Sequence, residues 1–209
     1  MKCVIFGAAP ISGGLEYIRS AMPEGDRVII AADGGLRYTA ALGLTPDIII
    51  GDMDSVRQED VPAGAILYPS RKDDTDMMLA VKKGLALGAD EFFLFGGLGG
   101  RLDHTYANFQ TLAYLSEHNV RGWLLDENHR VCMLENGEFA LSPEYRYLSI
   151  FAYGGICTGV TITGAEYPLD DAVLEPSFPL GVSNCHAPGN QMRVSVKEGT
   201  LLIIQTKLS

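Results

Sequence analysis

Four short apolar runs in the first half of the chain are each stopped by glycine or aspartate, with a helix-like segment usually following. Residues 3–6 run into Gly7-Ala8-Ala9-Pro10-Ile11-Ser12-Gly13-Gly14, and a helical stretch over 15–22 comes next. Residues 27–32 end in Asp33-Gly34-Gly35 before a helical stretch over 36–42. Residues 48–50 end in Gly51-Asp52-Met53-Asp54-Ser55, and residues 91–95 in Gly96-Gly97-Leu98-Gly99-Gly100. A shorter run, 66–68, precedes a helix over 76–87 with Met78, Val81 and Leu85 on one face. Runs that are apolar throughout belong to strands buried on both sides, so this alternation predicts a mainly parallel sheet covered by helices. Ligands of such sheets sit beyond the carboxyl ends of the strands. Asp33, Asp52, Asp54 and the loop 96–100 all fall there.

The helix that follows, over 102–118, carries two stripes. Leu102, Tyr106, Phe109 and Ala113 follow the 3–4 spacing of an inward face, while Arg101, Thr105 and Asn108 form a polar stripe that reads as solvated. Beyond residue 120 the texture changes to short strands over 131–134, 139–141, 147–151, 160–162 and 201–204. Asn-Gly, Gly-Gly, Pro and Glu-Gly turns separate them, and Asn136-Gly137 is a two-residue hairpin signal. Strands without amphipathic helices between them predict an antiparallel sandwich. The expectation is an α/β domain over 1–122 and an all-β domain over 123–209, with Asp126-Glu127-Asn128 as a turn near the boundary.

A net charge of −10 argues against binding nucleic acid or an anionic membrane by bulk electrostatics. It leaves a phosphate substrate open, because a bound cation reverses the local field. Cys3, Cys132, Cys157 and Cys185 are scattered without metal-ligand spacing and read as mostly buried thiols in a reducing compartment. The first apolar run is too short for a signal peptide or a membrane span, so the expected location is the cytoplasm.

On an extended backbone Asp52 and Asp54 leave the same face, with Cα atoms roughly 7 Å apart. Two carboxylates so placed repel unless a cation or a proton lies between them. A Mg²⁺ ion shared with a polyphosphate satisfies that requirement. An aspartate-rich turn satisfies the backbone equally well. Lys72-Asp73-Asp74-Thr75-Asp76 offers a second carboxylate source and a lysine for phosphate oxygens, although one or two of these residues are accounted for as a helix N-cap. The glycine clusters can bring backbone amides close to phosphates. The chain lacks the Gly-x-x-x-x-Gly-Lys-Ser/Thr loop and has no Gly-x-Gly-x-x-Gly after its first strand.

Ala32-Asp33-Gly34-Gly35, Pro46-Asp47 with Gly51-Asp52-Met53-Asp54-Ser55, Lys72-Asp73-x-Thr75-Asp76, and Gly99-Gly100-Arg101-Leu102-Asp103-His104 with Asn108 together resemble the thiamine pyrophosphokinase family. Residues 159–169 and Gly181-Val182-Ser183-Asn184 match it more loosely. The resemblance implies a Rossmann-like N-terminal domain, a C-terminal β-sandwich that binds thiamine and dimerises, and a homodimer with active sites at the subunit interface. It implies transfer of the pyrophosphoryl group of ATP to the hydroxyl of thiamine, giving thiamine diphosphate and AMP. Asp52, Asp54 and Asp76 would then be the Mg²⁺ carboxylates. Asp33, Gly34, Lys72, Asp73, Thr75, Arg101, His104 and Asn108 would surround the nucleotide, Arg101 acting in catalysis as well. Tyr167, Ser183 and Asn184 would lie near thiamine. Members of the family often carry tryptophan where Tyr167 stands, and a tyrosine ring stacks less strongly on a cationic heterocycle. Two rivals share the Asp-x-Asp signal: a metal-dependent nucleotide-sugar transferase, and a nucleotide-sensing module without turnover.

Overall fold

The computed structural model describes residues 1–51, the backbone of 66–68, and residues 73–207. They divide into two compact units, Met1–Glu127 and Asn128–Ser209.

The first unit begins with β1 (Lys2–Phe6), α1 (Gly14–Ala21), β2 (Arg27–Ala32), a 3-10 turn over Asp33–Gly35, α2 (Leu36–Leu42), β3 (Ile48–Ile50) and β4 (Ile66–Tyr68). It continues with α3 (Asp76–Ala86), β5 (Glu91–Phe95), α4 (Leu102–Glu117) and β6 (Arg121–Leu125). The strands lie in the order β4-β3-β2-β1-β5-β6, and every pairing among them is parallel. Cys3, Val4, Ile5 and Phe6 are all fully buried, so β1 has packing on both of its faces. Because β6 continues the parallel ladder from β5, pairing Phe93 with Trp123 and Phe95 with Leu125, residues 121–125 belong to this unit.

Two helices are rotated from the faces their periodicity predicts. α3 buries Met77, Ala80, Val81 and Gly84, while Met78 and Leu85 are only half-buried. Gly84 decides the rotation. A Cβ there would stand 2.5 Å from the Phe92 ring and 2.8 Å from Cys3 Sγ, so the absent side chain lets the helix lie close on the sheet. α4 buries Asn108, Thr111, Leu112 and Leu115, leaving Leu102 82% and Tyr106 59% exposed. Its inner stripe rests on β6, where a Cβ on Gly122 would meet the side chains of Leu115 and Leu112 at 2.6 and 2.9 Å. Small residues at contact points, rather than the largest apolar ones, set both orientations.

The second unit is antiparallel: β7 (His129–Glu135), β8 (Glu138–Ala140), β9 (Tyr147–Thr163), β10 (Leu169–Leu174), β11 (Gly181–Cys185), β12 (Arg193–Ser195) and β13 (Glu198–Thr206). β13 pairs with β7 and with the first half of β9, whereas the second half of β9 pairs with β10 and β12. The strands expected over 147–151 and 160–162 are therefore one strand of 17 residues. Gly154-Gly155 is a bulge within it, not a turn. Residues 154–157 of β9 stand opposite Gly199 alone, and Gly154 takes up the extra length at φ 74°. Asn136-Gly137 closes no hairpin between its flanking strands either. β7 takes β13 as partner and β8 takes β12, so this dipeptide carries the chain between ladders. The anchor is tertiary: Asn136 Oδ1 accepts the Gly199 amide at 3.0 Å.

Candidate functional site

The site in the first unit begins where the strand order reverses. β2 lies on one side of β1 and β5 on the other, so the loops after β1 and β5 leave a crevice at their carboxyl ends. A cavity of about 460 Å³ opens there. Its floor depends on two glycines. A Cβ on Gly7 would lie 2.7 Å from the Gly96 carbonyl oxygen, and one on Gly96, at φ 68°, would lie 2.4 Å from that of Gly7. Close approach lets the Gly7 amide donate to the Phe95 carbonyl at 2.7 Å and the Ala9 amide to the Gly96 carbonyl at 2.9 Å.

Asp33 reaches the cavity from the end of β2 with φ 50°, a left-handed conformation uncommon for a non-glycine residue. Gly34 stands beside it against Ala8, 3.3 Å from that side chain if it carried a Cβ. Thr75 caps α3, its Oγ1 accepting the Met78 amide at 3.2 Å. One residue on, Asp76 has a buried Oδ1 without a hydrogen-bond partner among the described residues. A carboxylate oxygen removed from water and left unpaired is costly, so it reads as a ligand position. Asp74 also lines the cavity, but its carboxylate is engaged by Lys82 Nζ at 2.7 Å. That bond raises the affinity of Lys82 for its proton above the ordinary lysine range. Asp73 is exposed and does not line the cavity.

The opposite wall is the loop 96–100 and the start of α4. The stripe expected to be solvated turns toward this loop: Asn108 Nδ2 donates to the Gly97 carbonyl at 2.8 Å, and Thr105 Oγ1 lies 3.4 Å from the Gly99 carbonyl. Asn108 is buried, and Arg101 and His104 are exposed at the rim. Arg101 makes a bidentate contact with Asp103, Nη2 to Oδ2 at 2.5 Å and Nε to Oδ1 at 3.1 Å. The paired charges move the Asp103 carboxyl below and the Arg101 guanidinium above their usual ranges. Asp52, Asp54 and Lys72 lie outside the described residues. Among the described residues, no three His, Cys, Asp or Glu side chains gather into a metal-binding group.

In the second unit, Tyr167, Ser183 and Asn184 come together around β11. Asn184 is 4% exposed and its amide clamps the turn that carries Tyr167. Nδ2 donates to the Tyr167 carbonyl at 2.6 Å, and Oδ1 accepts the amides of Tyr167 and Cys185, each at 3.1 Å. The Tyr167 ring itself is 66% exposed. Ser183 sits at φ 57° with its amide donating to Ser149 Oγ at 3.1 Å. Cys185 Sγ donates to Glu166 Oε2 at 2.8 Å, and the carboxylate beside it pushes the thiol pKa up.

Residues 21–124 match the family model described as thiamin pyrophosphokinase, catalytic domain, and residues 129–201 match thiamin pyrophosphokinase, vitamin B1 binding domain. The chain belongs to the thiamin pyrophosphokinase family. It is 29% identical over 187 residues to a thiamine pyrophosphokinase of Bacillus subtilis, covering 85% of this chain and 86% of that protein. The crystal structure of thiamine pyrophosphokinase from Bacillus subtilis superposes with a TM-score of 0.88 at 25% identity, covering 99% of both chains. That of thiamin pyrophosphokinase from Geobacillus thermodenitrificans gives 0.87 at 27% identity, covering 100% of this chain and 99% of the other.

Within a thiamin pyrophosphokinase chain, three features of the site escape sequence reading. Asn108 holds a glycine loop by its side-chain amide, which no spacing rule predicts. The Asp74–Lys82 pair removes one aspartate of the acidic run from the candidate ligands, and only the eight-residue reach along α3 could have suggested it. Asp103 fixes the Arg101 side chain from two residues away, although it stands inside a motif segment.

Proposed function

We propose that this chain transfers the pyrophosphoryl group of ATP to the hydroxyl of thiamine, releasing AMP and thiamine diphosphate. Membership of the thiamin pyrophosphokinase family supports the reaction class, and the two rival readings gain nothing from either family match. We read the first unit as Rossmann-like and the second as a β-sandwich, on the parallel ladder of the one and the two antiparallel ladders joined through β9 in the other. The four cysteines are free thiols, which suits a reducing cytoplasm. No described helix is long and apolar enough to cross a membrane.

The observation that carries the site assignment is the buried Oδ1 of Asp76, without a partner among the described residues, at the edge of a cavity bordered by glycine loops. A hard anionic oxygen of that kind fits Mg²⁺, and Asp52, Asp54 and Asp76 are the residues that would hold it. When bound, the ion supplies charge neutralisation and alignment of the polyphosphate. The thiamine oxygen attacks the β-phosphorus as the bond from that phosphorus to the α-phosphate bridging oxygen breaks, and AMP leaves with the electron pair. Arg101 and Lys72 offset the charge spreading over the phosphoryl oxygens. Asp52 or Asp54 accepts the hydroxyl proton late in the transfer. Asp33, Gly34, Thr75, His104 and Asn108 shape the nucleotide site, which Asp73 does not line, while Tyr167, Ser183 and Asn184 receive thiamine, the tyrosine ring against its cationic thiazolium.

A homodimer with active sites at the subunit interface completes the reading. Exposed Ile156, Val173, Phe178, Leu180 and Val182 on and around β9–β11 supply apolar area of the kind that associates. The decisive experiment incubates the chain with ATP, Mg²⁺ and thiamine and identifies the nucleotide product. AMP with thiamine diphosphate supports the reading, ADP indicates simple phosphorylation, and absence of turnover overturns it.

A further inference from the structure

The cavity wall over residues 7–10 is fastened from outside by two side chains of α2 that belong to none of the motif roles above. Arg37 Nη2 donates to the Ala8 carbonyl at 2.6 Å and to Tyr38 Oη at 3.1 Å. Tyr38 Oη donates to the Ala9 carbonyl at 2.8 Å and lies 3.1 Å from the Ile11 amide, which donates to it. The guanidinium carbon sits 4.8 Å from the Tyr38 ring centroid, so each side chain also orients the other. The inner edge of the same segment is stitched to β5 and its loop through the Gly7 and Ala9 amides.

We propose that Arg37 and Tyr38 are positioning residues for the nucleotide polyphosphate, a role that rests on the reading of this cavity as the nucleotide site. The reason is electrostatic. A carbonyl oxygen aimed into the cavity would repel a polyphosphate at short range, and a loop this rich in small residues can rotate its peptide planes at little cost. Binding the Ala8 and Ala9 carbonyls to donors on α2 commits both oxygens to the outer side. The Ala8 contact is charge-assisted and so is the stronger of the two. The wall then presents a surface that an anion can approach, set before the ligand arrives.

Tyr38→Phe tests this, because it keeps the ring under the guanidinium and deletes only the hydroxyl with its bonds to Ala9, Ile11 and Arg37. Arg37→Met, at an exposed side chain, tests the Ala8 contact independently of folding at the Tyr38 position. The readouts are calorimetric affinity for a non-hydrolysable ATP analogue with Mg²⁺, and KM for ATP and for thiamine measured separately. The expected result is a roughly tenfold loss of analogue affinity and a roughly tenfold rise in KM for ATP, the scale of one or two hydrogen bonds, with KM for thiamine unchanged. Wild-type binding with unaltered affinity in both variants overturns the proposal and leaves the site reading intact. A proportional rise in both KM values would mark a merely structural role and overturn it too. Failure of the wild-type chain to bind the analogue overturns the site reading and the proposal with it.

Discussion

Asn184 and Asp76 show opposite ways in which a single polar side chain is used. Asn184 makes three hydrogen bonds to the backbone of Tyr167 and Cys185, so its work is to shape a turn. Asn184→Ala leaves those groups unpaired and is expected to cost about 1–3 kcal/mol in chemical denaturation. It should also raise KM for thiamine while KM for ATP stays put, since the turn that Asn184 holds is the one that carries Tyr167. Asp76 keeps one buried oxygen unpaired among the described residues. Asp76→Asn preserves shape and removes charge, so turnover should fall about 100-fold or more, the loss typical when a group that stabilises transition-state charge is deleted. Its circular-dichroism melt should stay close to wild type. Turnover within a factor of a few of wild type would remove Asp76 from the proposed ion site.

At the level of elements, the start of α3 and its middle carry separate demands. Thr75 caps the helix through Met78, so Thr75→Ala should cost about 1 kcal/mol by urea denaturation and Thr75→Ser should restore most of it. Gly84→Val forces a branched side chain onto Phe92 and Cys3, with the Cβ alone at 2.5 and 2.8 Å. The expected cost is about 1–3 kcal/mol from overpacking, measured the same way. Both helices also show where sequence periodicity misleads. Met78, Leu85, Leu102 and Tyr106 are apolar and suitably spaced, yet the sheet contact is made through Gly84 on α3 and onto Gly122 from α4. A hydrophobic stripe records which side chains favour burial, whereas backbone distance decides which face can approach.

Across the whole molecule, burial couples stability to pH through Cys3. Desolvation, aided by the charge of Asp47, pushes its thiol pKa up from 9.0 to about 12. The folded state therefore holds this proton more tightly than the unfolded chain. The resulting stability is complete below about pH 9 and is lost progressively as pH rises toward 12. Cys3→Ala should narrow the gap in denaturation midpoint between pH 8 and roughly pH 10.5, despite its own packing cost at neutral pH. An unchanged gap would exclude the thiol as its source. Association is testable at the same scale. With Phe178 64% and Val173 55% exposed, Phe178→Asp with Val173→Asp should shift the sedimentation-velocity mass toward the monomer if that face pairs two copies.

The ordered alternation of apolar runs with Gly-Asp stops determined the first unit on its own, because a strand buried on both faces must be apolar throughout and its loops must end at one edge of the sheet. The residue types at that edge also determined the chemistry worth looking for. Tertiary structure alone decided which face each helix presents, that residues 147–163 form one strand, and that Asn136-Gly137 joins two ladders. It alone assigned Asn108 to a loop carbonyl, Asp74 to Lys82, and Arg37 with Tyr38 to the cavity wall. Each of these depends on distances between segments far apart in the chain or on a missing side chain. Local pattern records what a residue prefers, not what stands opposite it.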